Sequence, residues 1–179
     1  TDIDDEKKAH LIMRKEVLKQ IPVLDNEGRI IKLILSEELI PNMSIENSVV
    51  IMAGGKGTRL LPYTKNCPKP MLEISGKPML EIIINQCINF GFKNYIISVN
   101  YLKEQIINYF GNGEKFNINI QYVIEDEPLG TAGSLSLIKE ELNLPFLLIN
   151  GDVLTHLNLK NLLKYHLDKN AVATLCVRE

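Results

Sequence analysis

The sequence has little of what reaction centres most often draw on: three histidines and three cysteines in 179 residues, with no nucleophile constellation built around them. Cys67, Cys87 and Cys176 are widely spaced, odd in number and outside any metal-ligand pattern. That excludes a disulfide framework and a thiolate zinc site and leaves reduced, packed thiols. No apolar run approaches the roughly 18 residues of a membrane span, and the opening "TDIDDEKKAHLIM" has acidic residues where a secretory signal carries basic ones. A soluble cytoplasmic protein is expected. The net charge of -2 gives no global field for nucleic acid, and basic residues concentrate only between Lys56 and Lys77. An anionic ligand must therefore be held by a local site. What the chain does have is apolar substance: 45% hydrophobic residues, enough for one full domain and a fragment of another.

From Ser48 onward, short β-branched runs alternate with longer amphipathic ones, the pattern of a mostly parallel α/β sheet with helices on both faces. "SVVIMA", "KNYIISVN", "FNINIQYVIE", "LPFLLIN" and "AVATLCV" read as five strands. "KPMLEIIINQCINFG", "YLKEQIINYFGNG", "GTAGSLSLIKEEL" and "LNLKNLLKYHLDKN" read as helices, the first with Gly91 as its stop. In such sheets ligands bind beyond the carboxyl ends of the strands, where "AGGKGTRL", "EDEPLGTAG" and "NGDVLTH" all fall.

The glycine loop is the informative segment. A Walker loop needs a Gly-Lys-Ser/Thr end five residues after its first glycine, which neither Gly54 nor Gly55 provides. A dinucleotide fingerprint needs a third glycine where Leu60 stands. A plain turn after a strand is served by one glycine. Gly54, Gly55 and Gly57, followed by Arg59, instead favour backbone N–H groups brought close to a phosphate.

The longer stretch "MAGGKGTRLLPYTKNCPKPML" resembles the signature of the sugar-phosphate nucleotidylyltransferases, of the mannose-1-phosphate guanylyltransferase kind, and "EDEPLGTAGSL" and "NGDVL" match further segments in order. The resemblance covers Ser48 to Glu179. It implies a Rossmann-like nucleotide-diphospho-sugar transferase sheet and the conversion of an NTP and a sugar 1-phosphate to an NDP-sugar and pyrophosphate. Two polyanions must meet in that reaction, so positioning and charge neutralisation dominate, and an ionised phosphate needs no general base. By resemblance, Ala53, Gly54, Gly55 and Gly57 line the triphosphate, Thr58 adds a hydroxyl, and Arg59 takes the departing pyrophosphate. Lys69, fixed between Pro68 and Pro70, lies by the reacting phosphates.

Asp152, after Asn150-Gly151, either caps the following helix or serves as one Mg²⁺ ligand, as the resemblance implies. Family members continue past this chain end, so the second metal ligand and most sugar-reading residues are expected beyond Glu179, the domain being truncated. Glu125, Pro128, Gly130 and Thr131 match the base-binding segment. A carboxylate at Glu125 can accept two bonds from guanine but one from uracil or thymine, which favours GTP over UTP or dTTP. The alternative is that Glu125 and Glu127 face solvent and backbone atoms choose the base.

Residues 1–45 break the rhythm: "IPVLDNEGRIIKLILSEELI" is a strand, an Asn-Glu-Gly turn, a strand and a helix start. This stretch resembles the later half of a cystathionine-β-synthase (CBS) motif over Ala9 to Ile40. Lys32 replaces the usual glycine, Glu38 the ribose-binding aspartate, and Leu35 a common Ser or Thr. The unit is thus either an adenine-nucleotide site or a packing module, and paired CBS units imply a homodimer. The division expected is a partial CBS unit over 1–45 and a nucleotidyltransferase domain over 46–179. A non-catalytic nucleotide-sensing regulator is the competing class of function.

Overall fold

The computed structural model describes residues 12, 18, 20–25, 27–35, 45–127, 129–130, 132–138 and 142–177. Contacts divide the chain into two units, Thr1–Met43 and Ser44–Glu179.

The first unit holds an antiparallel hairpin of β1 (Gln20–Leu24) and β2 (Ile30–Leu35). Its turn is organised by Asp25, whose Oδ1 accepts from the N–H groups of Glu27 and Arg29, both at 2.9 Å, while Arg29 Nε donates to Oδ2 at 2.8 Å. These bonds to Arg29 hold the Asp25 carboxyl below its usual range. Gly28 takes φ 79°, which a side chain would disfavour. The helix start expected after this hairpin lies outside the described residues.

In the second unit, β3 (Val49–Met52), β6 (Asn94–Val99), β7 (Asn119–Ile124) and β8 (Leu147–Asn150) form a sheet of order β7-β6-β3-β8. Every pairing in it is parallel. Alternation sends Val49, Ile51, Tyr95, Ile97, Leu147 and Ile149 to one face. There they join Leu80, Ile83 and Ile84 of α1 (Met79–Asn89), Ile106 and Phe110 of α2 (Lys103–Phe110) and Leu159 and Leu163 of α3 (Leu159–Asp168) in one cluster. Burying each such large aliphatic side chain contributes about 1.5–3 kcal/mol. α1 stops where the N–H groups of Phe90 and Gly91 (φ 96°), just past its end, donate back to the carbonyls of Gln86, Cys87 and Ile88.

Two local expectations are corrected, and one further element appears. The stretch 133–138 is a short 3-10 turn, Gly133–Leu137, rather than an α-helix; the Ser136 hydroxyl donates to Gly133 O at 2.7 Å, a local bond that competes with helix formation. This turn meets the second sheet face through Ser134 Oγ and Met52 Sδ at 3.2 Å, whereas all three described α-helices feed the cluster on the first face. The segment 171–177 forms no strand: Val172 is fully exposed, and no described strand pairs with the segment. β-propensity records fit to a pleated, half-buried surface, and the described residues offer this segment none. Finally, β4 (Glu73–Ile74) and β5 (Lys77–Pro78) form a two-residue hairpin around Ser75 and Gly76, both at positive φ as a type I′ turn requires.

Candidate active site

The carboxyl ends of β3, β7 and β8 open into a cavity of about 500 Å³, inside the size range of small-molecule sites. It is lined by the glycine loop from Ala53 to Leu60, and by Lys69, Glu125, Gly130, Asn150 and Asp152. Of the residues singled out from sequence, the structure therefore brings together Ala53, Gly54, Gly55, Gly57, Thr58, Arg59, Lys69, Glu125, Gly130 and Asp152. Pro128 and Thr131 lie outside the described residues.

Each glycine of the loop has its own reason. A Cβ on Gly54 would come within 2.9 Å of Glu125 Oε1 and 3.3 Å of Asn100 Cβ. A Cβ on Gly57 would stand 2.9 Å from Thr64 Cγ2 and 3.0 Å from Lys69 Cβ, and Gly57 sits at φ 63°. Gly55, between them, faces open space. The loop thus rests on Glu125 at one end and on Thr64 and Lys69 at the other. Its middle glycine leaves bare backbone where a ligand can approach. Thr64, buried, completes the Gly57 end by donating its hydroxyl to Gly57 O at 2.8 Å.

Lys69 opens a 3-10 turn, Lys69–Met71, whose entry is the extended Pro68 (φ -65°, ψ 144°). Its Nζ lies 2.5 Å from Asp152 Oδ2, each side chain about a third exposed. Asp152 reaches that point because Gly151 lets β8 pass close to β3: Gly151 N–H donates to Met52 O at 2.8 Å, and a Cβ there would lie 3.0 Å from the same oxygen. The helix-cap alternative for Asp152 is excluded. α3 is capped by Asn158, whose Oδ1 accepts from Asn161 N–H at 3.0 Å. Arg59 is exposed on the cavity wall and makes no ion pair with a described residue.

Glu125 is the opposite kind of acid. It is 6% exposed, its Oε1 accepts from the Ser98 hydroxyl, and its Oε2 accepts from Leu129 N–H at 3.2 Å. Asn100 Nδ2 donates to its backbone carbonyl at 2.5 Å. The alternative in which Glu125 faces solvent does not hold. Ser98, Asn100 and Thr64 were not assigned roles from sequence: Ser98 sits inside an apolar strand run, and only Thr64 belongs to a recognisable motif.

Among the described residues no group of three or more His, Cys, Asp or Glu comes together as a metal cage. Mg²⁺ needs less, being held by one or two carboxylates with waters and substrate phosphate oxygens. Asp152 fits one such position: it faces the cavity, and its Oδ1 is not bonded to any described residue.

The Nucleotidyl transferase family model matches residues 48–179. The chain is 38% identical over 130 residues to a mannose-1-phosphate guanyltransferase of Yarrowia lipolytica, covering 70% of this chain and 36% of that protein. It is 35% identical over 141 residues to a UTP--glucose-1-phosphate uridylyltransferase of Synechocystis, covering 72% and 36%. Among solved structures it resembles HddC from Yersinia pseudotuberculosis complexed with GMP-PN, at 36% identity and a TM-score of 0.58, covering 68% of this chain and 55% of that one. The matched part spans about a third of the length of these curated relatives.

Proposed function

The chain belongs to the nucleotidyl transferase family, and from that premise and the geometry of the cavity we propose that it carries the nucleotide half of a sugar-1-phosphate nucleotidylyltransferase. The observation that carries the proposal is the loop's position between two unlike supports. Lys69 and Arg59 supply positive charge around its Gly57 end, and the buried Glu125 carboxylate stands at its Gly54 end. A triphosphate takes the cationic end, and a base with N–H donors takes the other.

In this reading an oxygen of the sugar phosphate attacks the α-phosphorus of the NTP, and the bond to the pyrophosphate oxygen breaks. The attacking phosphate is already ionised at neutral pH, its second pKa lying near about 6 as in phosphorylated side chains. No residue has to accept a proton, in keeping with a described cavity lining that contains no histidine. Backbone N–H groups at Gly54, Gly55 and Gly57 hold phosphate oxygens, Arg59 takes the leaving pyrophosphate, and Lys69 draws the two reacting phosphates together. Mg²⁺, where bound, neutralises phosphate charge, and Asp152 is the residue of this chain that would hold it.

GTP is the preferred nucleotide in this proposal, supported by the guanylyltransferase relative and by the GMP-PN in the related structure. One observation favours UTP or dTTP instead: both Glu125 oxygens already accept a bond from the protein, which leaves less acceptor capacity for guanine. The hairpin of residues 20–35 is in keeping with a partial CBS unit that binds an adenine nucleotide or only packs. Pyrophosphate release by the full-length protein, with four nucleotides and a set of hexose and aminohexose 1-phosphates, tests the function. Turnover with GTP supports it; ATP binding without any turnover would favour a regulator.

A further inference from the structure

Glu125 poses a problem that the nucleotide-transfer reading leaves open. A carboxylate this buried is costly unless hydrogen-bonded or paired. Among the described residues no cation pairs with it, and the donors to its oxygens are the Ser98 hydroxyl and the Leu129 N–H. Ser98 is itself 1% exposed, at the carboxyl end of β6, in register with Met52 and so directly beside the strand that leads into the glycine loop. Oε1, the oxygen that takes the Ser98 hydroxyl, is also the atom that a Cβ on Gly54 would strike. Oε2 ties down Leu129, next to Gly130 on the cavity wall. One carboxylate thus sets the separation of the glycine loop from the Leu129–Gly130 segment, and one hydroxyl fixes that carboxylate's rotamer.

We propose that Ser98 is a positioning residue for base recognition: by fixing Glu125 against Gly54, it sets the gap at the Gly54 end of the cavity into which the nucleobase enters. This rests on the nucleotidyl-transfer reading above. It differs from a general packing role because it concerns only the Gly54 end. The Gly57 end is held separately, by Thr64 and Lys69.

The test is calorimetric binding to the full-length protein of two probes: the nucleotide the parent binds best among GTP, UTP, dTTP and ATP, and inorganic triphosphate, which has the phosphates without the base. Ser98→Ala is expected to weaken the nucleotide about tenfold, the scale of a lost hydrogen bond to a charged group, and to leave inorganic triphosphate unchanged. Adding Ser98→Ala to Glu125→Ala is expected to cost no further affinity, because Ser98 acts through Glu125. Nucleotide binding equal to the parent's, equal losses for both probes, or a full additional loss in the double variant would each overturn the role of Ser98 while leaving the nucleotide site intact. A parent protein that binds neither probe would overturn the nucleotide reading and this inference together.

Discussion

Lys69 Nζ lies 2.5 Å from Asp152 Oδ2, although 83 residues of chain separate them. Neither side chain is buried, so the pair adds little to stability. Its meaning is positional: the cation and the acid that the sequence offers for phosphate and metal share one point of the cavity, with Gly57 packed against the lysine stem. A divalent ion at Asp152 and a phosphate at Lys69 would each compete for a group that now neutralises the other.

Lys69→Ala is therefore expected to lower turnover by about 100-fold or more, the effect of losing one donor aimed at developing charge. Nucleotide affinity, shared among Arg59 and the loop backbone, should change far less. Steady-state rates together with equilibrium binding of the nucleotide check this, and equal turnover in mutant and parent would refute the placement of Lys69.

Gly55→Ala and Gly57→Ala should separate ligand contact from architecture. A methyl at position 55 meets nothing within 4 Å, so stability is expected to hold while nucleotide affinity falls. At position 57 a methyl must adopt φ 63° and crowd Thr64 and Lys69, which should cost about 1–3 kcal/mol. Urea unfolding and nucleotide titration on both variants give the comparison. A larger stability loss at position 55 than at 57 would contradict the packing described.

Burial pushes the Cys87 thiol up from its ordinary 9.0 to about 12. Above about pH 9 the unfolded chain gives up this proton while the folded chain keeps it, so folding weakens by about 1.4 kcal/mol per pH unit until the folded thiol also titrates. Tyr109, through its 2.5 Å bond to Glu81, and Tyr122, through burial, are both raised to about 12 and act in the same direction. Urea midpoints are expected to fall between pH 9 and 11, and less steeply in Cys87→Ala. An unchanged slope in that variant would show that the thiol does not carry the effect.

Asn158→Ala removes the side-chain acceptor at the start of α3 and should cost about 0.5–2 kcal/mol. Thermal or urea unfolding measures it. No loss would mean that solvent serves the Asn161 N–H equally well.

Long periodic segments were legible in the sequence: β3, β6, β7, β8 and the helices α1, α2 and α3 lie where the apolar patterns put them, because each buries a face in one cluster. The segments 133–138 and 171–177 were not. Ser136 bonds locally to Gly133 in the first, and in the second an apolar alternation has no partner strand among the described residues. The β4–β5 hairpin escaped notice because two-residue strands leave no period to detect. In the site, glycine spacing and flanking prolines marked the end of the cavity where Gly57 and Lys69 meet. Ser98 and Asn100 carried no signal, since their roles depend on Glu125, which approaches from 25 or more residues away.

Nucleotidyl transfer by attack at the α-phosphorus is tested by the fate of label in the full-length protein supplied with Mg²⁺, a sugar 1-phosphate and the preferred nucleotide. Attack at the α-phosphorus places α-phosphate label in the nucleotide sugar and γ-phosphate label in pyrophosphate. Transfer of γ-label to the sugar phosphate, or retention of both labels in intact nucleotide with every sugar 1-phosphate tried, would contradict it.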